Sequence, residues 1–402
     1  MTNTSRTPRQ QPGEVGEVGE SILVLQGGGA LGAYQAGVYE ALQQCEAELS
    51  WVAGISIGAI NAALIAGNPA ELRVPRLREF WDLLSSALPV PVPGFVGQAI
   101  AKARENLNEA SATQVMMFGV PGFFRPRFPP APWQAPGSLA AISYYDTTPL
   151  RATLERLVDF DRINDGPMRL SVGAVNVRSG NFAYFDSHQQ RLDARHIMAS
   201  GALPPGFAPV EIDGEHYWDG GLVSNTPLQY VLDQAASGPR TVFQVDLFSA
   251  RGAYPANLGE VTEREKDIRF SSRTRLNTSM ELDRQLIAQT ARRLIAKLPA
   301  HLQADPDVRA LADLRCDGSV DVVHLIYRSK HYETQSKDFE FSRLSMKEHW
   351  EAGLADMNST LHSPRWLARE RSEHGVHVYD LTAEAAGEKK SEPQPVPATA
   401  RR

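Results

Sequence analysis

The chain has 402 residues, which at roughly 150 per domain allows two or three domains and a core large enough to need no disulfide staples. Apolar residues make up 42% and charged residues 22%, the balance of a soluble globular protein, which excludes a disordered or fibrous chain. A net charge of −6, from 41 basic and 47 acidic residues, argues against a nucleic-acid binder, and two cysteines, Cys45 and Cys316, exclude a disulfide framework and fit a reducing compartment.

Residues 1–20 carry charges and no apolar run, so they read as a flexible tail rather than a secretory signal, and a cytoplasmic location is expected. A first domain is read over residues 21–236. Ser21–Leu25, a continuous apolar run ending in three glycines, predicts a buried parallel strand. Ala30–Gln44 follows with helical spacing, Leu31, Tyr34, Val38 and Leu42 lying on one side. Trp51–Gly54 predicts a second strand and Ile57–Ala66 a second helix, so the chain opens βαβα and implies an α/β sheet. The longest uncharged stretch, Ser50–Ala70, is too rich in small residues to span a membrane.

Ten of the 27 prolines fall between Pro89 and Pro149, and seven aromatics between Phe118 and Tyr145. Residues 87–145 therefore read as an insertion without regular structure, of the kind that serves as a lid. Its Phe118, Phe123, Phe124, Phe128 and Trp133 are expected to cover a cleft rather than face water together. Helices are predicted at Thr148–Val158, Ala194–Ser200 and Asn225–Ala236, and strands at Leu170–Val177 and Phe182–Asp186. After Gly238-Pro239, residues 239–382 read as an α/β extension packed on the first sheet. It holds strands at Thr241–Phe248 and Asp321–Tyr327, one long helix over Glu260–Leu298 and a last helix over Ser345–Leu361. Residues 383–402, Pro-rich and weakly hydrophobic, form a second tail.

The strongest chemical signal is Gly54-Ile55-Ser56-Ile57-Gly58 at a predicted strand-to-helix junction. A sharp turn there leaves no room for side chains two residues either side of the serine, and the hydroxyl projects beside a helix N-terminus that favours developing negative charge. Gly27-Gly28-Gly29-Ala30-Leu31-Gly32 stands at the preceding strand–helix junction. It matches a dinucleotide-binding loop formally, but the second strand lacks the terminal acid that would hold a ribose. Consecutive glycines can instead turn backbone N–H groups toward an acyl oxygen, and loops of successive βα units lie side by side at one sheet edge, which favours an oxyanion hole.

A third motif, Tyr217-Trp218-Asp219-Gly220-Gly221-Leu222-Val223-Ser224-Asn225-Thr226-Pro227, follows a block of small residues and proline at Ala199–Pro204. Together, from about Ile22 to Leu232, these motifs resemble the patatin-like phospholipase family. The resemblance implies an α/β fold, a patatin-like three-layer sandwich with a mostly parallel central sheet and helices on both faces. It implies a Ser–Asp dyad that hydrolyses acyl esters of lipids such as phospholipid or lysophospholipid. No H-x-E-x-H or comparable spacing suggests zinc, and no metal or other cofactor is expected. By position Ser56 would be the nucleophile and Asp219 the base. Gly27, Gly28 and Gly29 would line the oxyanion hole, and Gly32, Gly54, Gly58, Gly220 and Gly221 are the motif glycines. The later part of the chain resembles a C-terminal extension of some bacterial members. Two positions depart from the family: Gln26, expected to leave the backbone donors unaffected, and Leu31, where many relatives carry a cation.

A free Asp titrates about 2.6 pH units below a free His, so a dyad base must touch the serine and be desolvated. The alternative is a Ser-His-Asp triad, for which His324 and His331 are the candidates, acting on other hydroxyacyl esters. A non-catalytic lipid-surface module is a further alternative, drawing on the aromatic insertion and on Arg269, Arg273, Arg284, Arg292, Arg293 and Lys297 of the long helix. Glu260, Glu263, Glu265, Asp267, Glu281 and Asp283 share that helix, so a solvated, salt-bridged face accounts for it. Membrane contact is expected to be peripheral, with Arg125 and Arg127 among the aromatics.

Overall fold

The computed structural model describes residues 19–86, 98–234, 238–299, 301–303, 305–312, 319–330, 332–369 and 375–381. The tails outside Gly19–Leu381, the first part of the insertion (87–97), Cys316 and His331 lie outside the described residues.

The first half runs β1 (Glu20–Leu25), α1 (Gly32–Gln44), β2 (Trp51–Gly54), α2 (Ile57–Ala66), α3 (Ala70–Leu84), α4 (Gln98–Phe118), β3 (Arg125–Pro126), β4 (Tyr145–Asp146), α5 (Thr148–Leu157) and α6 (Phe160–Asp165). It continues through β5 (Arg169–Asn176), β6 (Phe182–Asp186), α7 (Ala194–Ser200), β7 (Val210–Ile212), β8 (Glu215–Asp219) and α8 (Leu228–Asp233). The remainder supplies β9 (Arg240–Asp246), α9 (Leu258–Phe270), α10 (Thr274–Ile295), α11 (Pro306–Ala312), β10 (Ser319–Ile326), α12 (Arg343–Leu361), α13 (Pro364–Leu367) and β11 (Gly375–Tyr379).

One sheet organises the molecule, in the order β11-β10-β9-β1-β2-β5-β8-β7, with β6 also on β5. Pairing is parallel from β11 to β5 and antiparallel among β5, β6, β7 and β8. Strand β1 reads as unbroken apolar sequence because both its faces are covered. Leu23 and Leu25 pack with α1, α2 and α12, whereas Ile22 and Val24 pack with Leu228, Val231 and Leu232 of α8. The fold is thus the expected α/β sandwich, mostly parallel with helices on both faces.

Strands β9, β10 and β11 prolong that sheet, and α12 lies across α1 where two glycines meet. A Cβ on Gly37 would fall on the Trp350 carbonyl oxygen, and one on Gly353 on that of Tyr34. Only hydrogen at both positions lets the helices approach this closely, and the Tyr34 hydroxyl then reaches Asp356 at 2.7 Å. Gly353→Ala is expected to force the helices apart and cost roughly 1–3 kcal/mol, as overpacking a core does, read as a lower denaturant midpoint.

Three sequence expectations change. The insertion contains α4: no proline lies between Pro93 and Pro121, and averaging over the whole segment hid a stretch free to be helical. The predicted helix over Glu260–Leu298 is two helices, because Ser271 turns extended (ψ 151°) after Phe270. That break frees the Phe270 carbonyl to accept from Gln26 and Asn225. Finally, Phe123 and Phe124 are core residues, packed with Phe207, and Phe123 also reaches Phe341. Phe118, Phe128 and Trp133 are exposed. The lid reading therefore fails: Phe123 and Phe124 anchor the insertion in the core, and Phe118, Phe128 and Trp133 face solvent rather than cover a cleft.

Candidate active site

Strand register brings the serine and the acid together. Along one edge of β5, residues 169–172 pair with β2 and residues 174–176 with β8, while β6 occupies the other edge. Gly54 stands opposite Val172 and Asp219 opposite Ala174. Ser56 lies two residues beyond Gly54, and Ala174 two beyond Val172, so β2 hands over to β8 where Ser56 meets Asp219. The junction is Gly173, whose carbonyl accepts the Ser200 hydroxyl at 2.6 Å, while the Ser200 oxygen accepts the Ser56 N–H at 3.1 Å.

The elbow is as sharp as its glycines imply. Ser56 has φ 55° and ψ −123°, a conformation costing on the order of 1–3 kcal/mol for a residue with a Cβ. A Cβ on Gly54 would strike the carbonyl of Gly58, and one on Gly58 the carbonyl of Leu25. The strained turn leaves the serine half-buried at the start of α2 while its neighbours are fully enclosed.

Asp219 is 2% exposed and ends β8. Its carboxylate accepts the Gly221 N–H at 2.7 Å and faces the Ser56 hydroxyl, which helps to favour its ionised form. Burial pushes its pKa up to about 7, against the opposing pull of those two groups. Such a carboxylate, unlike a free Asp, is matched to accept a proton from serine near neutral pH. Gly220 and Gly221 allow the turn, since a Cβ on Gly220 would come within 2.6 Å of the Gly173 carbonyl oxygen.

The glycine-rich loop divides by role. The Gly27 N–H donates to the Asn225 carbonyl at 3.2 Å, which removes it from the expected set of oxyanion donors. The N–H groups of Gly28 and Gly29 have no acceptor among the described residues. Gly29 has φ 55°, and a Cβ there would land on the backbone carbonyl of Asp338. Gly32 opens α1 against Ile57 and Trp81. Leu31 is wholly buried, so that position contributes packing.

Sequence reasoning missed the residues that hold this loop. Gln26, expected to leave the backbone donors unaffected, is fully buried. Its Oε1 accepts the Leu247 and Phe248 N–H groups at 2.6 and 2.9 Å, and its Nε2 donates to Thr226 Oγ1 and the Phe270 carbonyl. The Asn225 Nδ2 donates to the carbonyls of Gly27 and Phe270, both at 3.0 Å. The only sequence signal was a pair of amides flanking small-residue turns. The charges of α9, expected to form a solvated, salt-bridged face, do form salt bridges, and one partner is buried. Glu263 and Asp267 hold the buried Lys337 at 3.0 and 2.8 Å, and Lys266 reaches Asp338 at 2.5 Å. This lattice fixes the turn whose carbonyl abuts Gly29.

His324 stands elsewhere. It is level with Gln244, Val24 and Ala53 on successive strands, three strand spacings from β2 or about 14 Å. Its Nε2 contacts Asp246 at 2.6 Å. Burial opposes protonation there, but the Asp246 carboxylate prevails and the pKa is raised. His324→Gln should therefore retain ester hydrolysis within severalfold of wild type; a folded variant as inactive as Ser56→Ala would reinstate a triad. Among the described residues no cluster of three or more His, Cys, Asp or Glu is arranged to hold a metal, and no helix is long and apolar enough to cross a membrane.

A family model described as patatin-like phospholipase matches residues 23–232, and a second, described as patatin phospholipase, matches residues 268–373. The chain is similar to the lysophospholipase NTE1 of Yarrowia lipolytica, 25% identical over 243 residues covering 60% of this chain and 14% of that protein. It is also similar to a cGAMP-activated phospholipase of Vibrio cholerae, 26% identical over 222 residues, 51% of this chain and 55% of that one. The chain thus spans only part of the length of either curated relative. Among solved structures, VipD from Legionella pneumophila aligns with 88% of this chain and 72% of its own at 14% identity and TM-score 0.31. ExoU of Pseudomonas aeruginosa, in complex with SpcU, aligns with 85% of this chain and 75% of its own at 17% identity and TM-score 0.27.

Proposed function

As the chain belongs to the patatin-like phospholipase family, we propose that it is a serine acyl hydrolase that cleaves fatty-acyl esters of lipids through Ser56 and Asp219. The observation that carries this reading is a strained elbow at Ser56 set beside a buried carboxylate, Asp219, whose pKa burial pushes up to about 7. Asp219 takes the hydroxyl proton as Ser56 Oγ attacks the ester carbonyl. The negative charge that develops on the carbonyl oxygen is met by the Gly28 and Gly29 N–H groups, fixed beforehand by Gln26, Asn225 and the Asp338 turn. Asp219 returns the proton to the departing alcohol, leaving an acyl-serine. It then deprotonates a water that releases the fatty acid and restores Ser56.

A lysophospholipase and a phospholipase stand among the relatives, and phospholipid and lysophospholipid are the substrates we assign. The reaction would take place in the cytoplasm, with any contact at the membrane peripheral. Fatty-acid release from phosphatidylcholine, lysophosphatidylcholine, a triacylglycerol and a water-soluble short-chain ester tests the reading. Release by the wild type but not by Ser56→Ala is expected, and a folded wild type inert on every ester would refute it.

A further inference from the structure

The insertion sorts its aromatic residues into two sets. Phe123 and Phe124 are buried against Tyr145, Phe207 and Phe341 and form a rigid root. Beyond that root, Phe128 is 94% exposed, Trp133 80%, Phe118 72%, Met117 65% and Tyr144 58%. These residues are held together. The Arg127 N–H donates to the Tyr144 carbonyl at 3.0 Å, the Tyr145 hydroxyl to the Met116 carbonyl at 2.8 Å, and β3 pairs with β4. A monomer in water has no reason to display so many large apolar side chains on one rooted ribbon.

The charge pattern identifies the partner. From Met116 to Tyr145 the only charged side chains are Arg125 and Arg127, in a chain whose net charge is −6. Arg125 is 68% exposed, although bonded to Asp146, and Arg127 bonds Ser143. Exposed Trp, Tyr, Phe and Met beside arginine, with the ribbon's one carboxylate, Asp146, tied to Arg125, is a composition that settles at a lipid headgroup boundary. The ribbon also adjoins the candidate site: the Tyr144 and Tyr145 N–H groups donate to the carbonyls of Pro205 and Gly206 at 3.1 and 3.0 Å. That loop follows directly from Ser200, which holds the Ser56 N–H, and its Ala202 carbonyl accepts the Asp219 N–H at 3.0 Å.

We infer that the tip of this ribbon, centred on Phe128 and Trp133, inserts into the headgroup region of an anionic bilayer and so brings the Ser56 site to lipid. The inference rests on the lipid-hydrolase reading, but its test does not require turnover. The full-length Ser56→Ala chain is mixed with vesicles of phosphatidylcholine and phosphatidylglycerol and sedimented. Trp133 is the one exposed tryptophan of six, so its emission should shift to the blue on vesicle addition and the shift should vanish in Trp133→Phe. Adding Phe128→Ser and Trp133→Ser should weaken partitioning on the order of a hundredfold. Vesicles lacking the anionic lipid should bind severalfold less, since two cations add only modest attraction. With Ser56 intact, the same pair of serine substitutions should leave turnover of a water-soluble short-chain ester unchanged.

Failure of the Ser56→Ala chain to sediment with vesicles, or equal binding by the serine variant, would overturn the inference. So would a dimer that the serine substitutions dissociate while vesicle binding persists, which would make the ribbon an interface between copies. Vesicle binding by a wild type inert on every ester would instead sink the hydrolase reading and leave the surface standing.

Discussion

Ester hydrolysis is expected to fall by about 10⁴-fold or more in Ser56→Ala and to a similar floor in Asp219→Asn, with the double substitution little worse than either. Non-additivity follows if the two act as a unit, the carboxylate taking the proton of the hydroxyl it faces. Without the carboxylate, Ser56 Oγ has no base beside it; without Ser56, the base has nothing to activate for attack. What survives is stabilisation by Gly28 and Gly29, which acts on any oxyanion formed nearby. The measurement is turnover of a soluble ester by the two single variants and the double. Independent, multiplicative losses would mean that serine and acid do not act as a unit.

Asp219→Asn should also make the fold more stable in alkaline solution while removing its activity. The unfolded carboxyl titrates near 3.8 and the folded one at about 7, so between those values the folded chain keeps a proton that the unfolded chain has released. Stability linked to this group is therefore complete below about pH 4 and is lost as pH rises through about 7. Three pH units correspond to about 4 kcal/mol of penalty once the carboxylate is ionised in the fold. Asparagine keeps the size and an acceptor for Ser56 and Gly221 without the charge. Unfolding at about pH 8.5 should show the variant more stable by up to about that amount, with the gain shrinking toward about pH 5. The same titration predicts that wild-type kcat/KM rises with pH through about 7, as a base that must be ionised requires. A stability difference between wild type and Asp219→Asn that stayed constant across this range would place the raised pKa elsewhere.

The elbow was legible because its requirements are local. Gly54 and Gly58 are excluded from carrying side chains by backbone within the same junction and by the carbonyl of Leu25, so five residues of sequence hold nearly the whole steric argument. Asp219 needed a motif resemblance, since its distance from Ser56 along the chain carries no information; the β5 register that joins them is visible only in the sheet. The far supports of the glycine loop were not legible in any way. The Phe270 and Asp338 carbonyls do their part through backbone atoms that every residue possesses, so no side-chain type marks them. Gln26 was misjudged because its four partners come from segments 200 or more residues away. Gly27 was legible as a glycine but not in its role, which depends on where the Asn225 carbonyl lies.

Strand β1 leaves the ribosome before either of its neighbours in the sheet, β2, which follows at once, and β9, which spans Arg240–Asp246. Until β9 emerges, one edge of β1 offers unpaired backbone groups to any other nascent strand. The anchors of Gln26 at Leu247, Phe248 and Phe270 arrive later still. Ser56 is thus synthesised well ahead of the supports for the glycine-rich loop, which are complete only once the turn at Asp338 has been translated.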